Sequence, residues 1–349
     1  MFTPQQEKEL KEHLEKAQNP VFYYDNDADG LCSYLLLRRY LGRGKGVAVK
    51  SYPDLNAQYA SKAKEFNSDY VFVLDKPLLS QEFVKEIDEM QIPLVWIDHH
   101  NVAGNDLSGG NMHIYNPTKN EGEYKSSEPV TFLVYSLLKK KEDIWIAMMG
   151  CIADHYMPDF VDEFKEEYNE YWSGGLKKPF DAYYKSEIGK IARAVGLGLK
   201  DSITNVVLLQ EYLISCRNPG DVLAEVKENE FFRNKYYELK KKYDSLIEKA
   251  EQSWFGNLLF FDYAGETSMS ADVANFLSYK YSDKYIAIAY VKGVISNISL
   301  RGKGVKSILE RVLKQFEESS GGGHEDAVGA RVKTQDLAKF REALEKEVN

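Results

Sequence analysis

Apolar and polar positions along the chain fall into two kinds of segment. Short, nearly unbroken apolar runs, VFYY (21–24), VFVL (71–74) and PLVWI (93–97), are bounded by polar residues and read as buried strands. Between them lie stretches with apolar residues at helical spacing, such as LCSYLLLRRYL (31–41) and SQEFVKEIDEM (80–90). The charged opening stretch carries Phe2, Leu10 and Leu14 on one side and predicts a short amphipathic helix that stops at Asn19-Pro20. Strands alternating with helices predict an α/β fold with a mostly parallel sheet. IWIAMMGCIADHY (144–156) is a further apolar segment and, because it too delivers an aspartate at its close, is grouped with the strands.

After the turn Asn218-Pro219-Gly220-Asp221, residues from about 222 to 254 are rich in Lys, Glu and Tyr and predict a long connecting helix. Beyond it, YIAIAYV (285–291), a Lys-Gly turn and VISNISLR (294–301) predict a hairpin. KSILERVLKQF (306–316) predicts a helix, and a last helix begins near Gln335. The expected organisation is a parallel-sheet domain over 1–215, a connecting helix over 216–255, and a smaller α/β domain over 256–349.

Composition narrows the class. With 349 residues, 44% hydrophobic and 28% charged, the chain is a globular protein of about two domains, and disorder is excluded for most of its length. No apolar run approaches the roughly 18 residues of a membrane span, and the charged opening reads as no secretory signal. Cys32, Cys151 and Cys216 are far apart and form no CxxC pair, so neither a disulfide framework nor a zinc knuckle is expected. These features together predict a cytoplasmic protein. The net charge of −9 argues against a broadly basic nucleic-acid surface. It is also unevenly placed: residues 256–349 hold 13 basic and 13 acidic side chains, which leaves 32 against 41 in residues 1–255. An acidic first part that meets a phosphate needs compensation, and metal cations supply it.

The candidate chemistry lies at the ends of the apolar runs. Asp25-Asn26-Asp27-Ala28-Asp29-Gly30 follows the first of them, and three carboxylates so close together repel unless cations neutralise them. A calcium loop of the EF-hand type would need a Glu six residues after the Gly, where this chain has Leu36. Asp75 ends the second run, Asp98-His99-His100 ends the third, and Asp154 closes 144–156. Ligands of open α/β sheets bind beyond the carboxyl ends of the strands, so four acidic ends point to one site. Imidazole beside carboxylates suits a first-row transition metal better than calcium. Asp29 reads as a residue that supports the ligands from behind or caps a helix rather than as a ligand, His155 as a capping or surface residue, and His13 and His113 as solvent-facing.

In this order, D-x-D-x-D-G, a strand-end Asp, D-H-H, an Ala-Asp and a distal G-G-G-H resemble the DHH phosphoesterase superfamily. The resemblance is to members with the DHH-associated C-terminal domain, namely RecJ-like exonucleases, their archaeal relatives and the nanoRNase/pAp phosphatases. It extends from about Val21 to Val332. It implies two divalent cations, manganese first and magnesium second, with Asp25 and Asp27 on one ion each and Asp75 bridging. His99 and Asp154 would complete the ligand set of the second ion. His100 would stand at the substrate phosphate, with Asp98 orienting the histidine pair. Two cations about 3.5–4 Å apart activate water and stabilise charge on a phosphoryl oxygen. Arg301 and the loop Gly321-Gly322-Gly323-His324 would bind substrate, the glycines by exposing backbone N–H groups to an anion.

The implied activity is an exonuclease on single-stranded DNA or RNA. The alternatives are a nanoRNase/pAp phosphatase for very short oligonucleotides or nucleotides, and a non-catalytic replisome or repair adaptor. The implied partners are single-stranded nucleic acid, a repair or replication protein, and a second copy of the chain.

Overall fold

In the computed structural model, which describes residues 1–51, 54–101, 107 and 109–349, the run Val21–Tyr24 is completely buried within strand β1 (Pro20–Asp25). A strand covered on both faces belongs to a parallel sheet with helices on either side. β1 lies in an all-parallel, five-stranded sheet with β2 (Lys45–Val49), β3 (Tyr70–Leu74), β4 (Leu94–Ile97) and β5 (Met112–Tyr115). Their order is β2-β1-β3-β4-β5. The runs at 21–24, 71–74 and 93–97 are therefore β1, β3 and β4. The chain leaves β1 toward β2 and then returns to build β3, β4 and β5 on the opposite side. That reversal opens a crevice at the carboxyl ends of β1 and β3.

Side-chain alternation assigns the two faces. Val21, Tyr23, Val71, Val73, Leu94 and Trp96 form one core with Phe83, Val84 and Ile87 of the helix Gln81–Glu89. Phe22 and Tyr24 point the other way and meet Tyr34 of the helix Ala28–Leu41, with Tyr24 and Tyr34 stacked 5.1 Å apart. Tyr24 also donates to Gln210 Oε1, which ties the sheet to the helix Ile203–Ser215.

The segment Ile144–Ala153 is an α-helix, not a strand, and Asp154 is its C-cap. Its side chains are buried through Ile152 on every side, so the sequence shows no amphipathic period. Ten residues are long for a strand, and a helix satisfies their backbone groups internally. Gly150 lets the neighbouring helix Val130–Leu138 approach closely, since a Cβ there would lie 2.3 Å from the Thr131 hydroxyl. The long helix runs Glu230–Ala250, later than the composition suggests. Asn218 and Asp221 close a capping box around a separate short helix, Pro219–Val222, ahead of it.

Met1–Tyr236 and Tyr237–Asn349 are two compact units, with the boundary inside that long helix. The second unit holds a mixed six-stranded sheet of β6 (Trp254–Phe255), β7 (Leu258–Ala264), β8 (Tyr285–Lys292), β9 (Ile295–Arg301), β10 (Ser320–His324) and β11 (Ala327–Lys333). Their order is β10-β11-β9-β8-β7-β6. β8 and β9 are the expected hairpin, turning through Gly293 at φ 63°. Leu300, Ala330 and Val332 pack on Ile308, Leu309, Phe340 and Leu344 of the helices Val305–Leu313 and Leu337–Val348. The glycine run is an edge strand rather than a loop. Gly321 is required there because a Cβ would meet Leu309, Leu313 and the Gly329 carbonyl at 2.8–3.0 Å.

Gly30 marks the tightest approach in the first unit. A Cβ on it would fall 2.4 Å from the Asp25 carbonyl oxygen and 2.7 Å from the Asp25 nitrogen, both main-chain atoms that cannot rotate away. Gly30→Ala is expected to destabilise the fold by about 2–3 kcal/mol. The melting temperature would drop by roughly 4–12 °C, as thermal denaturation followed by circular dichroism will show; an unchanged midpoint would refute this packing account.

Candidate metal centre

Three carboxylates arrive on adjacent strands. Asp25 is the last residue of β1, while Asp75 and Asp98 follow the last residues of β3 and β4. The Asp75 N–H still donates to the Ile97 carbonyl at 3.0 Å and the Asp98 N–H to the Tyr115 carbonyl at 3.1 Å, so both residues remain tied to the sheet. Asp75 has φ 59°, a left-handed conformation that disfavours a residue with a Cβ. Such strain is held only by the surrounding structure and concentrates at functional sites. The Asp75 side chain is almost entirely buried, and among the described residues its Oδ1 has no hydrogen-bond donor. Burial, followed by the charges of Asp29, Asp27, Asp25 and Asp154, pushes the Asp75 carboxyl well above the usual range.

The two histidines are oriented by different partners. His99 Nδ1 lies 3.2 Å from the Ser127 carbonyl, an acceptor, so Nδ1 carries a proton and the neutral ring presents its lone pair at Nε2. His99 Nε2 is 3.3 Å from Asp75 Oδ1 and 4.0 Å from Asp154 Oδ2. His100 Nδ1 donates to Asp98 Oδ1 at 2.8 Å. Asp98 in turn is buried and accepts from the His100 N–H and from Asn116 Nδ2, both at 3.1 Å. Asp98 thus orients His100 alone, and the Ser127 carbonyl does the same for His99. Burial lowers the basicity of His100, but the hydrogen bond and charge of Asp98, with Asp154 and Asp27, outweigh it and raise its pKa.

Asp154 enters from the helix end, about 40% exposed, and its pKa rises to about 7 through desolvation and the nearby Asp29. Asp27 is the N-cap of the helix Ala28–Leu41, its Oδ1 accepting from the Gly30 N–H. Although it stays accessible at the mouth of the crevice, partial desolvation and the charges of Asp25 and Asp29 raise it to about 8. Asp29 is buried and caps a neighbouring helix rather than its own, accepting from the Val130 and Thr131 N–H groups at 2.8 and 2.7 Å.

Among the described residues, potential ligand atoms converge in two sets, Asp75–His99–His100 and Asp29–His99–Asp154. The donors are carboxylate oxygen and imidazole nitrogen, and with the buried, unpartnered Asp75 Oδ1 they fit a divalent cation. Neither Asp25 nor Asp27 is in either set, and Asp25 differs from Asp27 in its partner. Asp25 Oδ1 accepts from Lys76 Nζ at 2.9 Å, and Lys76 is completely buried. Sequence reasoning passed over Lys76 and Asn116; the available signal was a lysine directly after a strand-end aspartate. His155 has φ 56° and stacks on Phe180 at 3.8 Å. His13 and His113 are half-buried and packed ring to ring at 4.3 Å, not solvent-facing, because the first helix lies over the β5 edge.

In the second unit, Arg301 and His324 sit at one register level on either side of Ala327. Arg301 Nε donates to Asn275 Oδ1 at 2.7 Å, which fixes the guanidinium, while the residues 320–324 are exposed along the sheet edge.

Residues 21–157 match the DHH family, N-terminal domain, and residues 257–349 match the DHHA1 domain. The chain carries a DHH N-terminal domain and a DHHA1 domain. RecJ of Thermus thermophilus, solved with Mn2+ and again with Mg2+, superposes with a TM-score of 0.67 at 14% identity in its Mn2+ form. That match covers 99% of this chain and 55% of RecJ, so the DHH protein spans about half the RecJ length. CDC45 from Entamoeba histolytica has a TM-score of 0.52 at 12% identity, covering 97% of this chain and 98% of its own. PggH of Vibrio cholerae, a pGpG-specific phosphodiesterase, has a TM-score of 0.50 at 11% identity, covering 95% and 98%. No curated protein matches the sequence. Among the described residues of this DHH protein no helix is long and apolar enough to cross a membrane.

The raised carboxylates set a pH dependence. Asp27 at about 8 and Asp154 at about 7 bind more protons in the folded chain than at their ordinary unfolded values. Their contribution to stability is fully present below about pH 4, the unfolded carboxyl value, and is lost as pH rises through 7 and 8. The metal-free protein is expected to melt progressively lower as pH is raised from about 5 to about 8. Mn2+ at about a hundred times its dissociation constant should raise the midpoint by roughly 5–10 °C and flatten that slope. Calorimetry in buffers of different ionisation enthalpy should show proton release on binding. A metal-free midpoint that rises over this range would contradict the assignment.

Proposed function

We propose that this protein is a divalent-metal-dependent phosphodiesterase that hydrolyses single-stranded nucleic acid from an end. The observation that carries the reading is Asp75: a buried carboxylate on strained backbone, its Oδ1 lacking a donor among the described residues, facing His99, His100 and Asp154. Leaving such an oxygen unsatisfied is costly, and a cation removes the cost. The RecJ likeness supports the substrate class.

Asp27, Asp75, His99 and Asp154 would hold the cation, which supplies Lewis acidity and lowers the pKa of bound water. The residues of the chain do the rest. The Ser127 carbonyl fixes the His99 tautomer, so that Nε2 is always the donor atom. Asp98 keeps the proton of His100 on Nδ1 when the ring is neutral and stabilises the imidazolium when it is charged, so the ring can donate from Nε2 to a phosphate oxygen. Arg301 and Gly321, Gly322, Gly323 and His324 would take a phosphate or terminal base of the substrate. Manganese, a cytoplasmic setting and a replication or repair partner belong to the same reading, as does pairing with a second copy.

A second reading, hydrolysis of dinucleotide-length substrates as in a nanoRNase/pAp phosphatase, is favoured by the nearly full-length match to the pGpG phosphodiesterase. A non-catalytic adaptor, prompted by the CDC45 likeness, is disfavoured because Asp27, Asp75, His99 and Asp154 are all in place.

End-labelled DNA and RNA strands of two to twenty-five nucleotides, with Mn2+, discriminate these readings. Stepwise shortening of long strands, reduced about 100-fold or more by Asp75→Asn, is the expected result. Cleavage confined to the shortest strands would select the second reading. No Asp75-dependent hydrolysis of any strand would overturn both.

A further inference from the structure

The environment of Asp25 differs from that of the other site carboxylates in a way that bears on how many cations the centre holds. The Lys76 side chain has no exposed surface, and its Nζ donates to Asp25 Oδ1 and to the Ser51 carbonyl, both at 2.9 Å. Its main chain is fixed as well, since the Trp96 indole N–H donates to the Lys76 carbonyl at 2.9 Å in the core. A lysine held at both ends and closed off from water is a resident of the site, unlike a surface lysine that swings in and out.

The six aspartates of the site divide by partner. Asp29 is bonded by two N–H groups at a helix start, Asp98 by His100 and Asn116, and Asp25 by Lys76. Among the described residues Asp27 is bonded by the Gly30 N–H alone and remains with Asp75 and Asp154, and His99 Nε2 faces the last two. That residue set, three carboxylates and an imidazole, suits one divalent cation. A second cation on Asp25 would stand against an ammonium already bonded to that carboxylate, and the two positive charges would repel in a poorly solvated pocket.

We propose that Lys76 stands in for one of the two cations that the family resemblance implies, so that the centre binds a single divalent ion on the Asp27, Asp75, His99 and Asp154 side. The inference rests on the metal-dependent phosphoesterase reading and refines it. Lys76 supplies part of the positive charge at the end of β1 that the second ion would have brought, as a fixed group that dilution and chelators cannot remove.

The test is the number of Mn2+ ions held per chain, by equilibrium dialysis with elemental analysis, and their electron paramagnetic resonance spectrum. The intact chain is expected to hold one ion with the six-line signal of isolated Mn2+. Asp25→Asn should leave the stoichiometry at one and shift affinity by no more than about threefold. Asp154→Asn should weaken binding by about tenfold or more, at least as much as loss of a partner that only orients a ligand. Lys76→Ala should admit a second ion, seen as a doubled stoichiometry and a broadened, exchange-coupled spectrum. Asp25→Asn added to that variant should remove the second ion. If Lys76→Ala fails to fold by circular dichroism, Lys76→Met keeps the side-chain volume while removing the charge, and the intact and Asp25→Asn measurements stand without either.

Two coupled ions in the intact chain, loss of the single ion on Asp25→Asn, or a folded lysine variant that still takes only one ion would each overturn the proposal. An intact chain that binds no Mn2+ even at millimolar concentration would instead remove the phosphoesterase reading, and this proposal with it.

Discussion

The structure of the first unit is organised around carboxylates that cannot escape one another. A parallel sheet points all its strand ends in one direction, and in this chain β1, β3 and β4 each finish on an aspartate. Burying that much like charge is unfavourable by several kcal/mol per uncompensated ion. Much of the surrounding architecture acts as compensation. The helix Val130–Leu138 places its first N–H groups on Asp29, the Ala28–Leu41 helix begins on Asp27, Asn116 and His100 hold Asp98, and Lys76 holds Asp25. The oxygen left over, Asp75 Oδ1, is the place where the protein's own groups stop and an added cation is called for.

Close packing and site geometry are therefore the same problem here. Gly30 brings the helix start onto the Asp25 backbone, and this contact sets where Asp27 and Asp29 emerge. Gly150 draws the Ile144–Ala153 helix against Thr131, and Thr131 is the residue whose N–H and hydroxyl bond Asp29 and its carbonyl. A change of one methyl group at either glycine would move ligands as well as core atoms. The left-handed backbone at Asp75 fits this picture, because a residue laddered to Ile97 on one side and turned into the crevice on the other has little freedom to relax.

Much of this was legible in the amino-acid sequence, for definite reasons. Strands buried on both faces appear as continuous apolar runs, so β1, β3 and β4 and the aspartates that end them could be read directly. The hairpin of β8 and β9 was legible because its turn carries a glycine at φ 63°. Where the period vanished, the reading failed. A helix buried on all sides has no polar face, and Ile144–Ala153 passed for a strand although its aspartate was correctly placed at the end. The glycine run looked like a loop because glycine is most often used for its freedom, whereas Gly321 is needed for its lack of a side chain over Leu309 and Leu313.

What composition and spacing could not disclose is the set of pairings between groups distant in sequence. The adjacent histidines of D-H-H look equivalent on paper, yet one takes its orientation from a carbonyl 28 residues away and the other from a carboxylate two residues away. Both partners hold a proton on Nδ1, but only the carboxylate also stabilises the imidazolium, so His100 is the ring that can additionally donate from Nε2. The same holds for Lys76, which a linear reading passes over. Only the fold brings it onto Asp25, across 51 residues, and makes a positive charge part of a site otherwise defined by negative ones.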